Sequence, residues 1–326
     1  MASDPILSIC IVSFNTAELT VDAVRSACQD IERSSLANRV DLIVVDNNSQ
    51  DDSVDQLKRF AKQTPVLITI LKNTKNVGFS VANNQAIRES AAKYILLLNS
   101  DTYVQPLAIQ RLIETMEETV DQSTAQLSSY PNKIDRLGII AATLVYPDGT
   151  LQHQGGSRPT LWSLANHMCM FDDIPLLGKL LPSTQHTGLR GVFQTDNQLQ
   201  PRDWVAGTAM LLRREMLEEI GTLDEKIFMY AEDMELCVRA KHHHWDIAIH
   251  PTAYITHHQV ASSSSERAIV GEYRGYKYIW SKHRPLTEQQ LAVFILKAGA
   301  VLRKWLFGTM GRSEKAEMYQ KVLAEL

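Results

Sequence analysis

The first hundred residues alternate short apolar segments with amphipathic segments, and this alternation constrains the fold more than any other feature of the chain. It predicts strands at Leu7–Phe14, Asp41–Asp46, Val66–Lys72 and Tyr94–Leu98, with helices between them at Glu18–Ile31, Asp52–Lys62 and Gly78–Ala92. Strands joined by helices in this order form a parallel sheet with helices on both faces. The sequence therefore predicts an α/β fold in which ligands bind beyond the carboxyl ends of the strands.

Polar side chains follow each of these four strands. They are Ser13 and Asn15, then Asp46 to Ser49, then Asn73 and Asn76, and finally Asn99, Ser100 and Asp101. Each group alone is also explained by turns and helix caps, which favour Asn, Asp and Ser. Because parallel strands end at the same edge of a sheet, the four groups together favour a shared ligand site.

A second group of acidic residues lies in the segment FMYAEDMELCVRA. From Ala231 the spacing predicts a helix whose first turn carries Glu232, Asp233 and Glu235, where the helix dipole tolerates acids. Capping explains one or two of these acids. The apolar residues of the preceding segment Phe228–Tyr230 predict that Asp233 lies at the mouth of an apolar pocket. Partial desolvation there would raise the pKa of the carboxyl group and suit it to general-base catalysis.

Composition limits the class of protein. Hydrophobic residues make up 44% of the 326 residues and charged residues 21%, which excludes a wholly disordered chain. The net charge of -4 argues against nucleic acid as a partner, because proteins that bind it without sequence preference are normally basic. The sequence shows no signal peptide and no apolar run of about 18 to 20 residues, so a cytoplasmic protein is predicted. Four scattered cysteines are interpreted as reduced thiols: Cys10, Cys28, Cys169 and Cys237.

The middle of the chain is less regular. The pattern predicts a helix at Pro106–Glu118, a polar surface loop at Asp121–Arg136, a hairpin-like excursion at Gly138–Pro159 and a strand at Val205–Leu212. The connection Trp162–Gln200 lacks a sustained period, and we interpret this long connection as a mobile lid over a site.

The most apolar helix candidate is Thr287–Met310, near the C-terminus. It contains Lys297, Arg303 and Lys304, which are too many charges for a membrane span. Two interpretations remain open for it. The helix packs on the rest of the protein, or it lies on an anionic membrane surface as an amphipathic helix.

Taken together, these motifs resemble those of the family 2 glycosyltransferases, inverting nucleotide-sugar-dependent enzymes, and within them the rhamnosyltransferase-like branch. The resemblance covers most of the segment 7–264. Seven motifs appear in the family's order: IVSFN, VVDNNSQDDS, NVGFSVANN, LLLNSD, DGTLQHQGG, WVAGTAMLLRRE and FMYAEDMELCVRA. The resemblance implies an α/β GT-A fold, with a Rossmann-like, mostly parallel central sheet, helices on both faces and C-terminal helices. It divides the chain into a nucleotide-sugar-binding half at 1–120, an acceptor-binding and catalytic half at 121–264, and a helical extension at 265–326.

The resemblance also implies roles for single residues. Asp233 matches the catalytic base, and Asp101 and His257 match the ligands of a divalent cation, Mg²⁺ or Mn²⁺, with His258 as the alternative to His257. Asn99 replaces the first Asp of the family's Asp-x-Asp element, so metal contact is expected mainly at Asp101. The residues implied to bind the donor are Phe14, Asn15, Asp46, Asn76, Gly78, Asn99 and Ser100. Those implied on the acceptor and sugar side are Trp204, Gly207, Glu232 and Arg239.

The activity implied is transfer of a sugar from a nucleotide-sugar donor to a hydroxyl of a glycan or lipid-linked acceptor, in cell-surface polysaccharide synthesis. The first donor implied is dTDP-L-rhamnose. The alternatives are a UDP-hexose-dependent transferase and a noncatalytic nucleotide- or carbohydrate-binding protein of this fold. A sugar-1-phosphate nucleotidyltransferase would need a glycine-rich basic loop after the first strand, and SFNTAEL is not one. One departure from the family is Val260, which stands where a glycine usually follows the histidine.

Overall fold

A computed structural model describes residues 5–121, 134–174, 181–185, 198–259 and 265–326. The strands within these ranges are β1 (Leu7–Ser13), β2 (Val40–Asp46), β3 (Leu67–Lys72), β4 (Tyr94–Asn99), β5 (Thr102–Val104), β6 (Leu137–Val145), β7 (Gln200–Pro201), β8 (Ala209–Arg213) and β9 (Asp246–His257). They form one sheet in the order β3-β2-β1-β4-β8-β6-β9-β5, and β7 pairs with β9.

Helices cover both faces of this sheet. They are α1 (Ala17–Glu32), α2 (Ser53–Phe60), α3 (Phe79–Glu89), α4 (Ala108–Asp121), α5 (Leu161–Met168), α6 (Arg214–Ile220), α7 (Glu232–His242), α8 (Ser265–His283), α9 (Leu286–Thr309) and α10 (Ser313–Glu325), with a short 3₁₀ turn at Phe171–Asp173. The helices α1 and α4 share one apolar core, whereas α3, α5, α7 and the three C-terminal helices share the core on the opposite face.

The predicted parallel arrangement is confirmed for the first four strands. β1 pairs in parallel with both β2 and β4, and β2 pairs in parallel with β3. Alternation within β1 explains how one strand serves two cores, since Cys10 faces one core while Ile9 and Ile11 face the other. Both faces are therefore apolar, which is why these strands read as continuous apolar runs.

The second half of the sheet is mixed. β8 lies between β4 and β6 and runs antiparallel to both, whereas β6 and β9 are parallel. The short strand β5 pairs antiparallel with the end of β9, in a register that sets Thr102 opposite His257. This pairing brings a histidine more than a hundred residues away to the strand that follows Asp101.

The predicted hairpin-like excursion is present in shortened form. The Tyr146 N–H donates to the Thr150 carbonyl and the Gln152 N–H to the Leu144 carbonyl, each at 2.8 Å, and the second strand is reduced to a bridge between Val145 and Leu151. The irregular connection predicted at Trp162–Gln200 is wrong at its start. The connection Trp162–Gln200 begins with helix α5, which starts because Thr160 accepts a hydrogen bond from the Ser163 N–H at 3.1 Å and donates its own N–H to the Ser163 hydroxyl at 2.9 Å. The expected lid and polar loop fall largely on 175–180, 186–197 and 122–133, which lie outside the described residues, as does Val260.

Helix α9 packs on α5 through one face. The buried guanidinium of Arg303 donates to the backbone carbonyl of Met168 and, at 2.7 Å, to that of His167, which satisfies carbonyls at the end of α5. A Cβ at Gly299 would lie only 2.7 Å from the Met168 Cβ. This face of α9 therefore packs on the rest of the protein, as the first of the two interpretations of this helix predicts. No helix in the described ranges combines the length and the apolarity needed to cross a bilayer.

Helix α7 begins from an unusual backbone conformation. Tyr230 and Ala231 both have a backbone φ of 72°, in the left-handed region that residues other than glycine rarely adopt. The two residues pack against glycines of α8: a Cβ at Gly271 would lie 2.5 Å from the Tyr230 ring, and one at Gly275 would lie 2.4 Å from the Ala231 Cβ. Close backbone packing therefore fixes the start of α7.

Glu235 ties α7 to the end of α8. Its fully buried carboxylate accepts hydrogen bonds from Arg239 at 2.9 Å, Lys282 at 2.7 Å and His283 at 3.0 Å. Burial alone would raise the pKa of Glu235, but the donors His283 and Arg239 hold it at about 2. This acid of the first turn thus has a structural role.

We predict that Gly275→Ala destabilises the protein, although alanine normally favours a helix by about 1 kcal/mol over glycine. The new methyl group would overlap the Ala231 Cβ, and overpacking of this kind costs about 1 to 3 kcal/mol. Urea unfolding measures the change. The control is Gly308→Ala in α9, where a Cβ meets no atom within 4 Å and unfolding should need the same or more urea. Equal stabilisation by both substitutions would contradict the close packing.

Candidate active site

The turns after β1 and β2 are joined by hydrogen bonds. Asn15, in the left-handed conformation with φ of 56°, donates its backbone N–H to the Ser49 hydroxyl at 3.0 Å and accepts from the Gln50 N–H at 2.7 Å. The buried carboxylate of Asp46 faces the Ser49 N–H at 3.3 Å. Phe14 is half-buried beside this turn. The predicted convergence of the strand ends is therefore present at these turns.

The side chain of Asn47 connects β2 to the loop after β3. Its amide nitrogen donates to the Asn76 Oδ1 at 2.9 Å, and its Oδ1 accepts from Asn73 at 3.1 Å and from the Val77 N–H at 3.0 Å. Asn76 Oδ1 also accepts from the Gly78 N–H at 3.0 Å. The loop 73–78 is thereby held as one unit, and Asn47, which the sequence analysis placed in the polar group Asp46 to Ser49 without a role of its own, is the residue that connects it to β2.

Gly78 brings this loop against the segment before α7. It has φ of +89°, and a Cβ there would lie 2.6 Å from the Phe228 carbonyl oxygen. The neighbouring Phe79 N–H donates to the same carbonyl at 2.7 Å. Only glycine fits this contact without strain, so the predicted donor loop and the predicted catalytic helix are packed together.

A carboxylate and a histidine meet at the end of β4. The Asp101 Oδ1 lies 3.4 Å from the His257 Nε2. The other ring nitrogen of His257 lies 2.7 Å from the Gln152 Oε1, while the Gln152 amide donates to the His257 carbonyl at 3.1 Å. Because the Gln152 oxygen is an acceptor, it assigns the proton to Nδ1 and leaves Nε2 as a lone-pair donor facing Asp101. His258 contributes only its backbone N–H, to the Asp101 carbonyl at 2.9 Å.

These residues fit a divalent cation. Among the described residues the Asn99 Oδ1 is buried without a hydrogen-bond partner, which leaves an oxygen without a donor two positions before Asp101 in the chain. Ser100 is buried next to it, with its hydroxyl 3.3 Å from that of Thr16. Within the described ranges no cluster of three or more His, Cys, Asp or Glu side chains is present. Such a site suits Mg²⁺ or Mn²⁺ only with further oxygens from a bound phosphate group.

Asp233 is held by backbone donors at the start of α7. Its Oδ2 accepts from the Gly207 N–H at 2.9 Å and its Oδ1 from the Met234 N–H at 2.7 Å. Burial raises the pKa of Asp233 above its ordinary value, and the two N–H groups oppose that rise. A carboxylate that is fixed by backbone donors and has its pKa raised by burial is suited to accept a proton.

Glu232 is the second member of a buried carboxyl pair. Its Oε2 is buried and has no hydrogen-bond partner in the part of the chain that the structure describes. Burial, and then the charge of Asp233, raise the pKa of Glu232 to about 8. Because the pKa of Glu232 is about 8, Glu232 keeps its proton near neutral pH, and the negative charge of the pair lies on Asp233.

The dipeptide Gly207–Thr208 joins the two halves of the site. Gly207 donates to Asp233, and the Thr208 carbonyl accepts the Asn99 N–H at 2.9 Å. The strand end that leads to Asp101 and the helix that carries Asp233 are therefore both hydrogen-bonded to one short segment.

Two residues predicted on the acceptor side have internal contacts. The buried Trp204 donates its indole N–H to the Thr184 carbonyl at 2.6 Å. The Arg239 guanidinium binds Glu235 and the carbonyls of 220–222, at 2.6 Å to Ile220 and to Thr222. Six residues of helix separate Arg239 from Asp233, so the two side chains leave the helix on different faces, and the acceptor-side role of Arg239 stays a prediction.

Comparison with known proteins identifies the family. The sequence model of the family described as glycosyl transferase family 2 matches residues 8–171 of the 326. The chain belongs to glycosyl transferase family 2.

Two curated relatives of this family 2 member have named activities. A low-salt glycan biosynthesis hexosyltransferase of Haloferax volcanii is 27% identical over 72% of this chain and 61% of the relative. An N-acetylglucosaminyl-diphospho-decaprenol L-rhamnosyltransferase of Mycobacterium tuberculosis is 23% identical over 70% of each chain. The match spans only 26% of another relative, an uncharacterized protein of Sinorhizobium fredii. The chain thus corresponds to part of the length of several relatives.

The fold also matches a solved structure. A mannosyltransferase of Pyrobaculum calidifontis, in complex with GDP-mannose and Mn²⁺, superposes with a TM-score of 0.51 at 13% identity, over 99% of this chain and 75% of the other. The GT-A fold implied by the motifs is therefore confirmed.

We predict that Glu232→Gln flattens the pH dependence of stability. The folded pKa of about 8 exceeds the ordinary value of 4.5, so the folded state keeps a proton that the unfolded state has lost. That contribution is complete below pH 4.5 and is lost as pH rises toward 8, with a slope of at most about 1.4 kcal/mol per pH unit.

Urea unfolding at a series of pH values measures this effect. Glu232→Gln should gain stability over the wild type as pH rises through that window, whereas the exposed Glu218→Gln should keep the wild-type slope. Parallel curves for the wild type and Glu232→Gln would contradict the buried carboxyl pair.

Proposed function

We propose that this protein is an inverting glycosyltransferase that moves a sugar from a nucleotide-sugar donor to a hydroxyl of a glycan or lipid-linked acceptor. The observation that carries the proposal is the segment Gly207–Thr208, which is hydrogen-bonded both to Asp233 and to the strand end that leads to Asp101. A proton acceptor and a metal-binding carboxylate in one site are what a displacement at an anomeric carbon requires.

The donor occupies the edge formed by β1, β2 and β4 in this proposal. Asp46, Asn15 and the loop 73–78 bind the nucleoside, and Asn99 and Ser100 lie beside the diphosphate. Asp101 and His257 would hold Mg²⁺ or Mn²⁺, which supplies positive charge against the diphosphate leaving group. The Mn²⁺ in the related mannosyltransferase complex supports a metal of this kind.

Asp233 accepts the proton of the acceptor hydroxyl as that oxygen attacks the anomeric carbon. The bond from the anomeric carbon to the diphosphate oxygen breaks in the same step, so the configuration inverts and no covalent enzyme intermediate forms. The Gly207 and Met234 N–H groups orient the carboxylate before the acceptor arrives, which lowers the reorganisation needed during the reaction.

We propose dTDP-L-rhamnose as the donor, in cell-surface polysaccharide synthesis. The motifs and the mycobacterial rhamnosyltransferase support this choice, and the same relative supports a lipid-linked acceptor. The haloarchaeal hexosyltransferase supports a hexose donor as the alternative. A cytoplasmic location remains a prediction.

A donor panel tests this function. Purified protein is mixed with dTDP-L-rhamnose and with UDP- and GDP-hexoses, with Mg²⁺, with Mn²⁺ or with EDTA, and is scored by thermal shift and nucleotide release. We expect metal-dependent release from dTDP-L-rhamnose, and release from a hexose donor alone would replace rhamnose. Release in EDTA would exclude the metal, and binding without release or transfer would support the noncatalytic alternative.

The same assay tests the metal site through Gln152→Ala. Loss of the bond to His257 Nδ1 should raise the metal concentration for half-maximal activity by about 10 to 100-fold, because groups that orient a metal ligand have effects of that size. The matched control is Gln154→Ala, which removes a buried amide bonded to the Ala142 carbonyl instead. An equal metal requirement in both variants would contradict the orienting role of Gln152.

We predict that Asp233→Asn retains donor binding but lowers transfer at least about 100-fold, the usual size of a general-base effect. The amide occupies the same space but cannot take a proton. Thermal shift by the nucleotide sugar measures binding, and product formation with a saturating acceptor measures transfer. Turnover within tenfold of the wild type would remove Asp233 as the base.

A further inference from the structure

Helix α9 has two faces of different character. The face toward α5 contains the buried residues Ala292, Leu296, Gly299, Ala300 and Arg303. Large apolar side chains are exposed elsewhere on the helix, and four of them lie in its central turns: Leu291 at 52%, Phe294 at 69%, Val301 at 53% and Trp305 at 64%. We call these four residues the outer stripe.

The outer stripe is continuous along the helix. At 3.6 residues per turn its members fall within an arc of about 80°, on the side opposite to the buried residues. Exposed single apolar residues are ordinary on protein surfaces, but an aligned set that includes Phe and Trp marks an interaction surface.

One edge of the outer stripe is basic. Lys297 and Lys304 are exposed along this edge, and Lys304 also donates to the Gln320 Oε1 at 2.6 Å. The segment 289–312 contains no Asp or Glu, whereas the whole chain has 37 acids against 33 Lys and Arg. The acid of α9, Glu288, lies one turn before Leu291 and 3.8 Å from Arg284. A net-negative protein thus presents a basic edge along the central turns of this apolar stripe.

A second copy of the chain fits this surface poorly. Two outer stripes packed face to face on antiparallel helices would place the edges with Lys297 and Lys304 on the same side of the interface, and the acid of α9, Glu288, lies more than two turns before Lys297. A membrane span is also excluded for α9, because it does not meet the requirements of length and apolarity.

We propose that α9 lies in the headgroup region of an anionic lipid bilayer, with the outer stripe inserted and Lys297 and Lys304 bound to lipid phosphates. Apolar insertion and basic side chains act together in helices of this kind, and Trp305 suits the boundary between headgroup and acyl chain. The proposal concerns where the protein docks and does not rest on its catalytic activity.

Co-sedimentation with vesicles tests the docking surface. The full chain is mixed with vesicles of phosphatidylcholine alone, or of phosphatidylcholine and phosphatidylglycerol in equal parts. We expect binding to the anionic vesicles to be at least tenfold stronger and to weaken as salt is raised, since each lysine near an anionic surface contributes severalfold.

Two matched pairs of variants separate the apolar and the basic contributions. Phe294→Gln with Trp305→Gln should lower binding at least tenfold, whereas Leu67→Gln, at a site 67% exposed on the sheet edge, should leave it unchanged. Lys297→Glu with Lys304→Glu should remove the preference for anionic vesicles. Lys58→Glu with Lys62→Glu, at exposed positions in and just after α2, should keep it.

Insertion is also visible in fluorescence. In a Trp162→Phe background Trp305 is the one strongly exposed tryptophan, because Trp204, Trp245 and Trp280 are buried. Anionic vesicles should shift its emission to the blue. Wild-type protein that stays in the supernatant with anionic vesicles would overturn the proposal, as would a solution dimer that Phe294→Gln dissociates and that does not bind vesicles.

Discussion

Close backbone packing around the segment 228–231 is the constraint on which the site depends. On one side the Phe228 carbonyl meets Gly78 and accepts the Phe79 N–H. On the other side the glycines of α8 lie against Tyr230 and Ala231. Both of these residues have positive φ, a conformation that costs about 1 to 3 kcal/mol and persists only where its surroundings enforce it. The donor loop, the start of α7 and the C-terminal helices are therefore coupled through four residues.

This coupling explains why the C-terminal helices belong to the catalytic unit. Glu235, two residues after Asp233, is fully buried and binds Lys282 and His283 at the end of α8. A carboxylate buried this deeply is stable only because its donors are in place. The position of Asp233 thus depends on residues that contribute nothing to the chemistry of transfer.

Local sequence patterns predicted the parts of this structure that depend on residues close together in the chain. Continuous apolar runs revealed the first four strands, and the polar residues after them located Asp101. Asp233 followed from an acidic first turn after apolar residues. The remainder depends on contacts distant in sequence. The carbonyl partners of Arg239 were not foreseen because one of them, Ile220, lies 19 positions away, and Gln152 was missed because its hydrogen bond to His257 spans 105 positions.

The two carboxylates proposed for the reaction lie in contrasting environments, and this contrast is what one site needs for both metal binding and proton transfer. Asp101 lies 3.4 Å from the Nε2 of His257, a pair of ligand types that favours a cation. Asp233 instead has backbone N–H donors and a neighbouring Glu232 that keeps its proton up to about pH 8. In the proposed mechanism a cation would bind on the Asp101 side, because a protonated Glu232 offers it no charge. Asp233 would then have no bound metal competing for its lone pair and would be available for the proton of the acceptor.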